Sequence, residues 1–270
     1  VDPLPHQIEA VYGYILKQPR IRFLIADDPG AGKTIMAGLI IKELKLRHII
    51  KRILIICPGH LKDQWKRELM ERFEENFVIV DRARFDSEYR LNVWEMENQI
   101  ITSIDFAKKD EILQTLASTH FDLTIVDEAH KMSAYKYGEK INKSERYKLG
   151  EVISQISNNL IFLTATPHKG DPENFRLFID LLERGFFATT DQIQQSLENK
   201  DNPLFIRRVK EDLKDFEGRP LFLPRYVNTV KFKLSNEEKE LYNELSRYVE
   251  HQYNTAIEKD KRRNVAFALA

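Results

Sequence analysis

The residues best suited to chemistry fall in two short phrases. The first, DDPGAGKT (Asp27 to Thr34), approaches the phosphate-binding pattern of a glycine, four free positions and Gly-Lys-Ser/Thr, but Asp27 stands where the first glycine belongs. A turn built from Asp28, Pro29, Gly30, Ala31 and Gly32 at a helix N-terminus suits anionic oxygens. Backbone N–H groups converge there, and glycines let the main chain come close. Lys33 would set a cation on the β and γ phosphates of a nucleotide, and Thr34 would offer its hydroxyl to Mg²⁺. The first glycine serves only the entry of such a loop, so the Asp27 carboxylate is expected to point away from the phosphates. The second phrase, IVDEAH, ends an apolar run in Asp127 and Glu128. An acid at the end of a neighbouring strand holds Mg²⁺ and a second one orients the attacking water, tasks that fall to Asp127 and Glu128 in that order. A DE pair is ordinarily solvated surface. Four apolar residues before it place this one at the carboxyl edge of a sheet, where α/β folds bind ligands.

Positioning these groups requires a sheet with helices between its strands. Continuous apolar runs fit strands of a parallel sheet covered on both faces: FLIA (Phe23 to Ala26), ILIIC (Ile53 to Cys57), FVIV (Phe77 to Val80), LTIV (Leu123 to Val126) and LIFL (Leu160 to Leu163). Helical spacing lies between them at about Thr34 to Arg47, Leu61 to Phe73, Ile104 to Ser118, Tyr147 to Ser157 and Pro172 to Leu182. The alternation predicts a doubly wound α/β fold. Ala134 to Arg146 is polar and charged and reads first as a solvated loop and second as a substrate-gripping element.

The pattern changes at about Ala188, which suggests one lobe over residues 1–187 and a helical extension over 188–270. In the extension YVNTVKF (Tyr226 to Phe232) is strand-like. Ser235 and Glu238 make a capping box, and Leu241, Leu245, Val249 and Tyr253 recur at helical spacing. The closing VAFALA reads as the approach to another domain.

Composition bounds the function classes. The chain has 270 residues, 42% of them hydrophobic, enough for a substantial core. Lys plus Arg and Asp plus Glu each number 42, so any nucleic-acid contact must be local. The single cysteine excludes an internal disulfide framework, and no apolar run is long enough to span a bilayer; a cytoplasmic protein with no membrane partner is expected.

Together the motifs resemble the first RecA-like lobe of a superfamily 2 helicase-type ATPase of the Swi/Snf-like, HepA-like branch. That resemblance implies a P-loop NTPase lobe with a central, mostly parallel sheet, using ATP and Mg²⁺. In LPHQIEAV, Gln7 corresponds to the glutamine that reads the adenine edge, and in the nucleotide loop an acid commonly replaces the first glycine. CPGHLKDQWKRE resembles motif Ia, which implies Gly59, His60 and Lys62 as contacts to a DNA backbone, whereas Trp65 is read as core packing. ITSIDF, with Thr102 and Ser103, resembles motif Ib, a second backbone contact. LTATPHKG resembles motif III, so Thr164 and Thr166, with His130, are implied in coupling nucleotide state to movement. RRVKEDL, from Arg207, resembles a segment near the lobe junction.

The implied partners are double-stranded DNA, a second RecA-like lobe of the same full-length protein, and RNA polymerase or another DNA-bound protein. Such a motor holds ATP between two lobes and takes an arginine finger from the second, so this piece alone is expected to hydrolyse ATP poorly. The alternatives are a motor subunit of a restriction or phage-defence system, and a binding module without turnover.

Overall fold

The computed structural model describes residues 2–88, 91–137, 140–165, 172–187, 189–198, 202–223, 229–230 and 232–258. The chain divides into two compact units, Val1–Leu223 and Pro224–Ala270.

The first unit is built on strands β1 (Arg22–Ile25), β2 (Ile53–Cys57), β3 (Val78–Ile79), β4 (Gln99–Ser103), β5 (Phe121–Val126), β8 (Ser157–Leu163) and β9 (Phe205–Ile206), with a separate hairpin of β6 (Ala134–Tyr137) and β7 (Lys140–Lys143). Among the described residues the seven strands form one sheet in the order β3-β4-β2-β5-β8-β1-β9, every pair parallel. A short helix α1 (Pro5–Ile8) precedes β1; parallel strands need crossovers, and the helices between them supply these: α2 (Lys33–Leu46), α3 (Lys62–Phe73), α4 (Arg82–Ser87), α5 (Val93–Met96), α6 (Ile104–Ala107), α7 (Asp110–Ala117), α8 (Glu145–Ile156), α9 (Pro172–Ile179) and α10 (Thr190–Glu198).

The strands are largely apolar because both faces of the sheet are covered. Phe23, Ile25, Ile53, Ile55, Ile125 and Ile161 pack with Met36, Ile40, Trp65, Leu69 and Phe73 of α2 and α3 on one face. Their neighbours Leu24, Leu54, Ile56, Val126, Leu160 and Phe162 pack with Ile112, Leu116, Ile153, Phe175 and Phe178 of α7, α8 and α9 on the other. Two-residue alternation thus splits one sheet between two cores.

Four local features differ from the expectations. The stretch Ile104 to Ser118 is two helices, since Ser103 caps α6 by accepting from the Phe106 N–H at 3.2 Å, and Lys109 turns to extended backbone (ψ 135) before α7. The polar stretch from Ala134 is not an open loop: β6 and β7 pair antiparallel, and the Ser144 hydroxyl closes the base of the hairpin on the Ser133 carbonyl at 2.8 Å. RRVKEDL, which by a generic reading is an amphipathic basic helix, instead follows the end of β9 and contains a single 3₁₀ turn at Lys210–Asp212. The compact division falls at Leu223/Pro224, beyond the change of pattern at Ala188, because β9 adds an edge to the sheet alongside β1.

In the second unit, α11 (Asn236–Glu258) begins at the expected capping box. The Glu238 N–H donates to Ser235 Oγ at 3.2 Å, and Glu238 Oε2 accepts from the Ser235 N–H at 2.8 Å. The strand-like stretch 226–232 lies mostly outside the described residues. No helix among the described residues is long and apolar enough to cross a membrane.

Candidate nucleotide site at the rim of the sheet

Strands β5, β8 and β1 lie side by side, so the segments after Val126, Leu163 and Ile25 leave the sheet at one rim. This is the carboxyl edge of a parallel sheet. The loop after β1 turns through Gly30 (φ 86) and Gly32 (φ 80), both in the left-handed region that glycine enters freely. Gly32 also has no room for a side chain, because a Cβ there would sit 2.3 Å from Gln7 Nε2. It precedes the 14-residue helix α2, whose N-terminus no side chain caps, so the first-turn N–H groups can serve an anion.

The other predicted loop residues buttress this turn. Lys33 Nζ donates to the carbonyls of Asp27 at 2.8 Å and Asp28 at 3.2 Å. Burial lowers the Lys33 amine from its ordinary value, while the charges of Asp127, Asp27, Glu128 and Asp28 act the other way. Gln7 is buried, donating from Nε2 to the Ala31 carbonyl at 3.1 Å and accepting from the Leu4 N–H at 3.0 Å. One amide proton and one carbonyl lone pair remain for the base edge it is expected to read. His6 Nε2 lies 2.9 Å from the same Ala31 oxygen.

Asp27 does what a glycine could not. Its carboxylate is fully buried and meets Arg208 in a bidentate pair, Nη2 to Oδ2 at 2.6 Å and Nε to Oδ1 at 3.2 Å, while the Arg208 N–H donates to Oδ1 at 3.0 Å. Arg208 also donates to the His6 carbonyl and accepts from the Asp28 N–H at 3.2 Å; the Lys210 N–H donates to Asp28 Oδ2 at 3.2 Å. Residues 208–210 thus clasp the entry of the loop. Sequence reasoning missed Arg208. The resemblance had marked its segment, RRVKEDL, but nothing in the sequence tied Arg208 to Asp27 beyond the general need of a buried carboxylate for a counter-charge.

Across the rim, the Asp127 N–H donates to the Ile56 carbonyl at 2.8 Å, and its side chain is almost wholly buried. Oδ1 accepts from the Glu128 N–H at 2.8 Å and Oδ2 from Trp65 Nε1 at 3.1 Å. Burial pushes the Asp127 carboxyl above its ordinary value, and those two hydrogen bonds pull against it. Glu128 stands in the left-handed region (φ 51), so the chain turns sharply where β5 ends. His130 Nδ1 lies 2.8 Å from Thr164 Oγ1 and 3.4 Å from Glu128 Oε2, joining the ends of β5 and β8. Thr166 lies outside the described residues.

The donors present fit Mg²⁺. Among the described residues no group of three or more His, Cys, Asp or Glu side chains could hold a metal by itself. Mg²⁺ asks less, one or two protein oxygens completed by phosphate and water, and the donor types of Asp127, whose carboxylate keeps lone pairs, and of the Thr34 hydroxyl suit it.

The residues expected to meet DNA divide. Gly59 and His60 are exposed on the 3₁₀ turn Gly59–Leu61, and Lys62 starts α3 with its amine 3.7 Å from Asp81 Oδ2. Thr102 does not fit its expected role, since it is wholly buried and its hydroxyl donates to the Val80 carbonyl at 2.8 Å. Ser103 is nearly buried, its oxygen spent on capping α6.

Comparison with known proteins agrees with this geometry. The family described as type III restriction enzyme, res subunit, matches residues 1–169. An uncharacterised ATP-dependent helicase of Bacillus subtilis, YqhH, is 32% identical over 256 residues, covering 91% of this chain and 42% of that protein. The RNA polymerase-associated protein RapA of Serratia proteamaculans is 36% identical over 170 residues, covering 62% of this chain and 17% of RapA. The chain therefore spans less than half the length of either relative. In fold it is similar to the Sulfolobus solfataricus SWI2/SNF2 ATPase core solved with double-stranded DNA, with a TM-score of 0.60 and 20% identity over all of this chain and 57% of that one. The matched residues contain both the phosphate loop and the acidic pair, and the chain belongs to the type III restriction enzyme res subunit family, among the superfamily 2 helicase-type ATPases, with the RecA-like fold of the Swi/Snf lobe.

Proposed function

We propose that the chain is the N-terminal ATP-binding lobe of a cytoplasmic, ATP-dependent DNA translocase, with residues 188–270 leading towards a second RecA-like lobe. Lys33 and the amides of the Gly30–Gly32 turn hold the phosphates, Thr34 and Asp127 hold Mg²⁺, and Glu128 orients water. His130 and Thr164 carry the state of the site to the end of β8. Gly59, His60 and Lys62 touch the backbone of duplex DNA, a contact without base specificity and sensitive to salt.

The observation that carries this reading is that the phosphate turn and the Asp127–Glu128 pair follow parallel strands β1 and β5 of one sheet, separated by β8 alone, and so leave it at one rim. The test is DNA-stimulated ATP hydrolysis by the protein together with its second lobe. Stimulation by duplex DNA is expected in the wild type and is abolished by Lys33→Ala or Glu128→Gln. Hydrolysis absent with every duplex and single strand would leave a binding module instead. A second reading, the motor subunit of a restriction system, is favoured by the description of the matching family. A nuclease or methyltransferase domain in the same protein or beside its gene would establish it.

A further inference from the structure

Asp127 is held twice by one short piece of chain. Its N–H donates to the carbonyl of Ile56 near the end of β2 at 2.8 Å, and its Oδ2 accepts from the indole of Trp65, one turn into α3, at 3.1 Å. Between those two anchors the chain passes through Pro58 and the turn Gly59–Leu61, where Gly59 and His60 are exposed. The turn is stiff where it meets the core. The Leu61 N–H donates to the Pro58 carbonyl at 2.9 Å, Cys57 is fully buried before it, and Trp65 is 3% exposed after it. The burial of Trp65 alone would suit a core residue. A core residue did not need its only polar atom aimed at the carboxylate that faces the phosphate turn.

We propose that Trp65 is a positioning residue for Asp127, and that contact of a phosphate backbone with the turn at 59–62 reaches the Mg²⁺-binding carboxylate through α3 and this indole. The inference rests on the ATPase reading above. Trp65 fixes which lone pairs of Asp127 remain for a metal: with Oδ1 taken by the Glu128 N–H and Oδ2 by the indole, the carboxylate cannot rotate about its χ2 bond without losing both. A displacement of the first turn of α3 moves the indole, and with it the direction of the remaining lone pairs. Groups that orient a metal ligand in this way are worth about 10- to 100-fold in metal affinity elsewhere.

Trp65→Phe keeps an aromatic ring in the core and deletes the donor. By calorimetry, binding of ADP should weaken about 10-fold in the presence of Mg²⁺ and stay unchanged with EDTA, a contrast that loss of packing alone would not produce. In the wild type a short DNA duplex should alter the Mg²⁺ dependence of ADP binding, and in Trp65→Phe it should not. The chain has two tryptophans, and the other, Trp94, is engaged with Thr115 Oγ1 at 3.0 Å. In a Trp94→Phe background the emission of Trp65 should therefore change on adding Mg²⁺ and ADP together, and not with either alone; the calorimetric arm needs no change at Trp94.

If Trp65→Phe binds Mg²⁺ and ADP within twofold of wild type, the positioning role is overturned. If it weakens binding but duplex DNA acts equally on both proteins, or on neither, the transmission is overturned. A wild-type protein that, together with its second lobe, binds no ADP with Mg²⁺ overturns the ATPase reading itself, and the two failures are thereby distinct.

Discussion

Replacing Arg208 with methionine removes the guanidinium that neutralises Asp27 and leaves the arginine's backbone N–H in place. The carboxylate it abandons is fully buried, and its lost partners are the 2.6 Å and 3.2 Å bonds from Nη2 and Nε. Arg208 itself is only 12% exposed, so solvent does little to screen the pair. Breaking one side of such a pair costs about 3–5 kcal/mol, mainly because an uncompensated charge stays inside. At about 2–4 °C per kcal/mol for a unit of this size, thermal unfolding should fall by roughly 10 °C. Adding Asp27→Asn removes the stranded charge and keeps an oxygen for the Arg208 N–H, now 3.0 Å from Oδ1. The double variant should recover most of the loss, giving a double-mutant coupling of about 2–3 kcal/mol in chemical denaturation. A single variant that loses less than about 1 kcal/mol, or a double variant no more stable than the single, would refute the reasoning, since breaking a buried pair cannot be that cheap.

Three further outcomes are expected. Gly32→Ala should abolish ADP binding measured by calorimetry, because the residue stands at φ 80 and its new Cβ would lie 2.3 Å from Gln7 Nε2. Gly38→Ala should destabilise by about 1–3 kcal/mol in urea denaturation despite alanine's better helix propensity, because the Cβ would lie 2.2 Å from Cε2 of Phe73, where α2 packs on α3. Glu75 is buried between Lys42, at 2.9 Å, and Lys45; burial raises its carboxyl, but the two lysines more than offset this and hold it below the ordinary 4.5. The folded form thus favours the carboxylate, and its contribution is fully present above pH 4.5 and is lost as pH falls through the depressed value. Glu75→Gln should therefore lose about 2 kcal/mol at pH 7, with the gap from wild type narrowing in acid denaturation below pH 4.5.

The centre of the fold was legible in the sequence. Runs such as ILIIC are apolar at every position because both faces of the sheet are covered, and the two chemical phrases each follow such a run. Short edge strands carried no comparable signal. β9 is only Phe205–Ile206, and β6 and β7 include three lysines in their sequence, so composition pointed to a loop. In the site, the local motif showed Lys33, Asp127 and Glu128, because their spacing is fixed along the chain. Arg208 and Trp65 reach the site through tertiary contact, 181 and 62 residues from their partners, and no spacing rule marks them. Thr102 misled for the opposite reason: a threonine at a strand end near a surface turn points inward here, to the Val80 carbonyl.

The neighbours of β1 carry a consequence for biosynthesis. This strand is made first, yet it pairs with β8, where Arg22 meets Leu160, and with β9, where Leu24 meets Phe205. A ribosome must therefore emit most of the first unit before the earliest strand has a sheet edge on either side, and the phosphate turn joined to it waits for Arg208 as well. β2, β4 and β5, which pair with one another inside the middle of the chain, can assemble while translation continues. The nucleotide turn is then among the last parts of the lobe to mature, and a nascent chain halted short of residue 208 carries the motif without its shape.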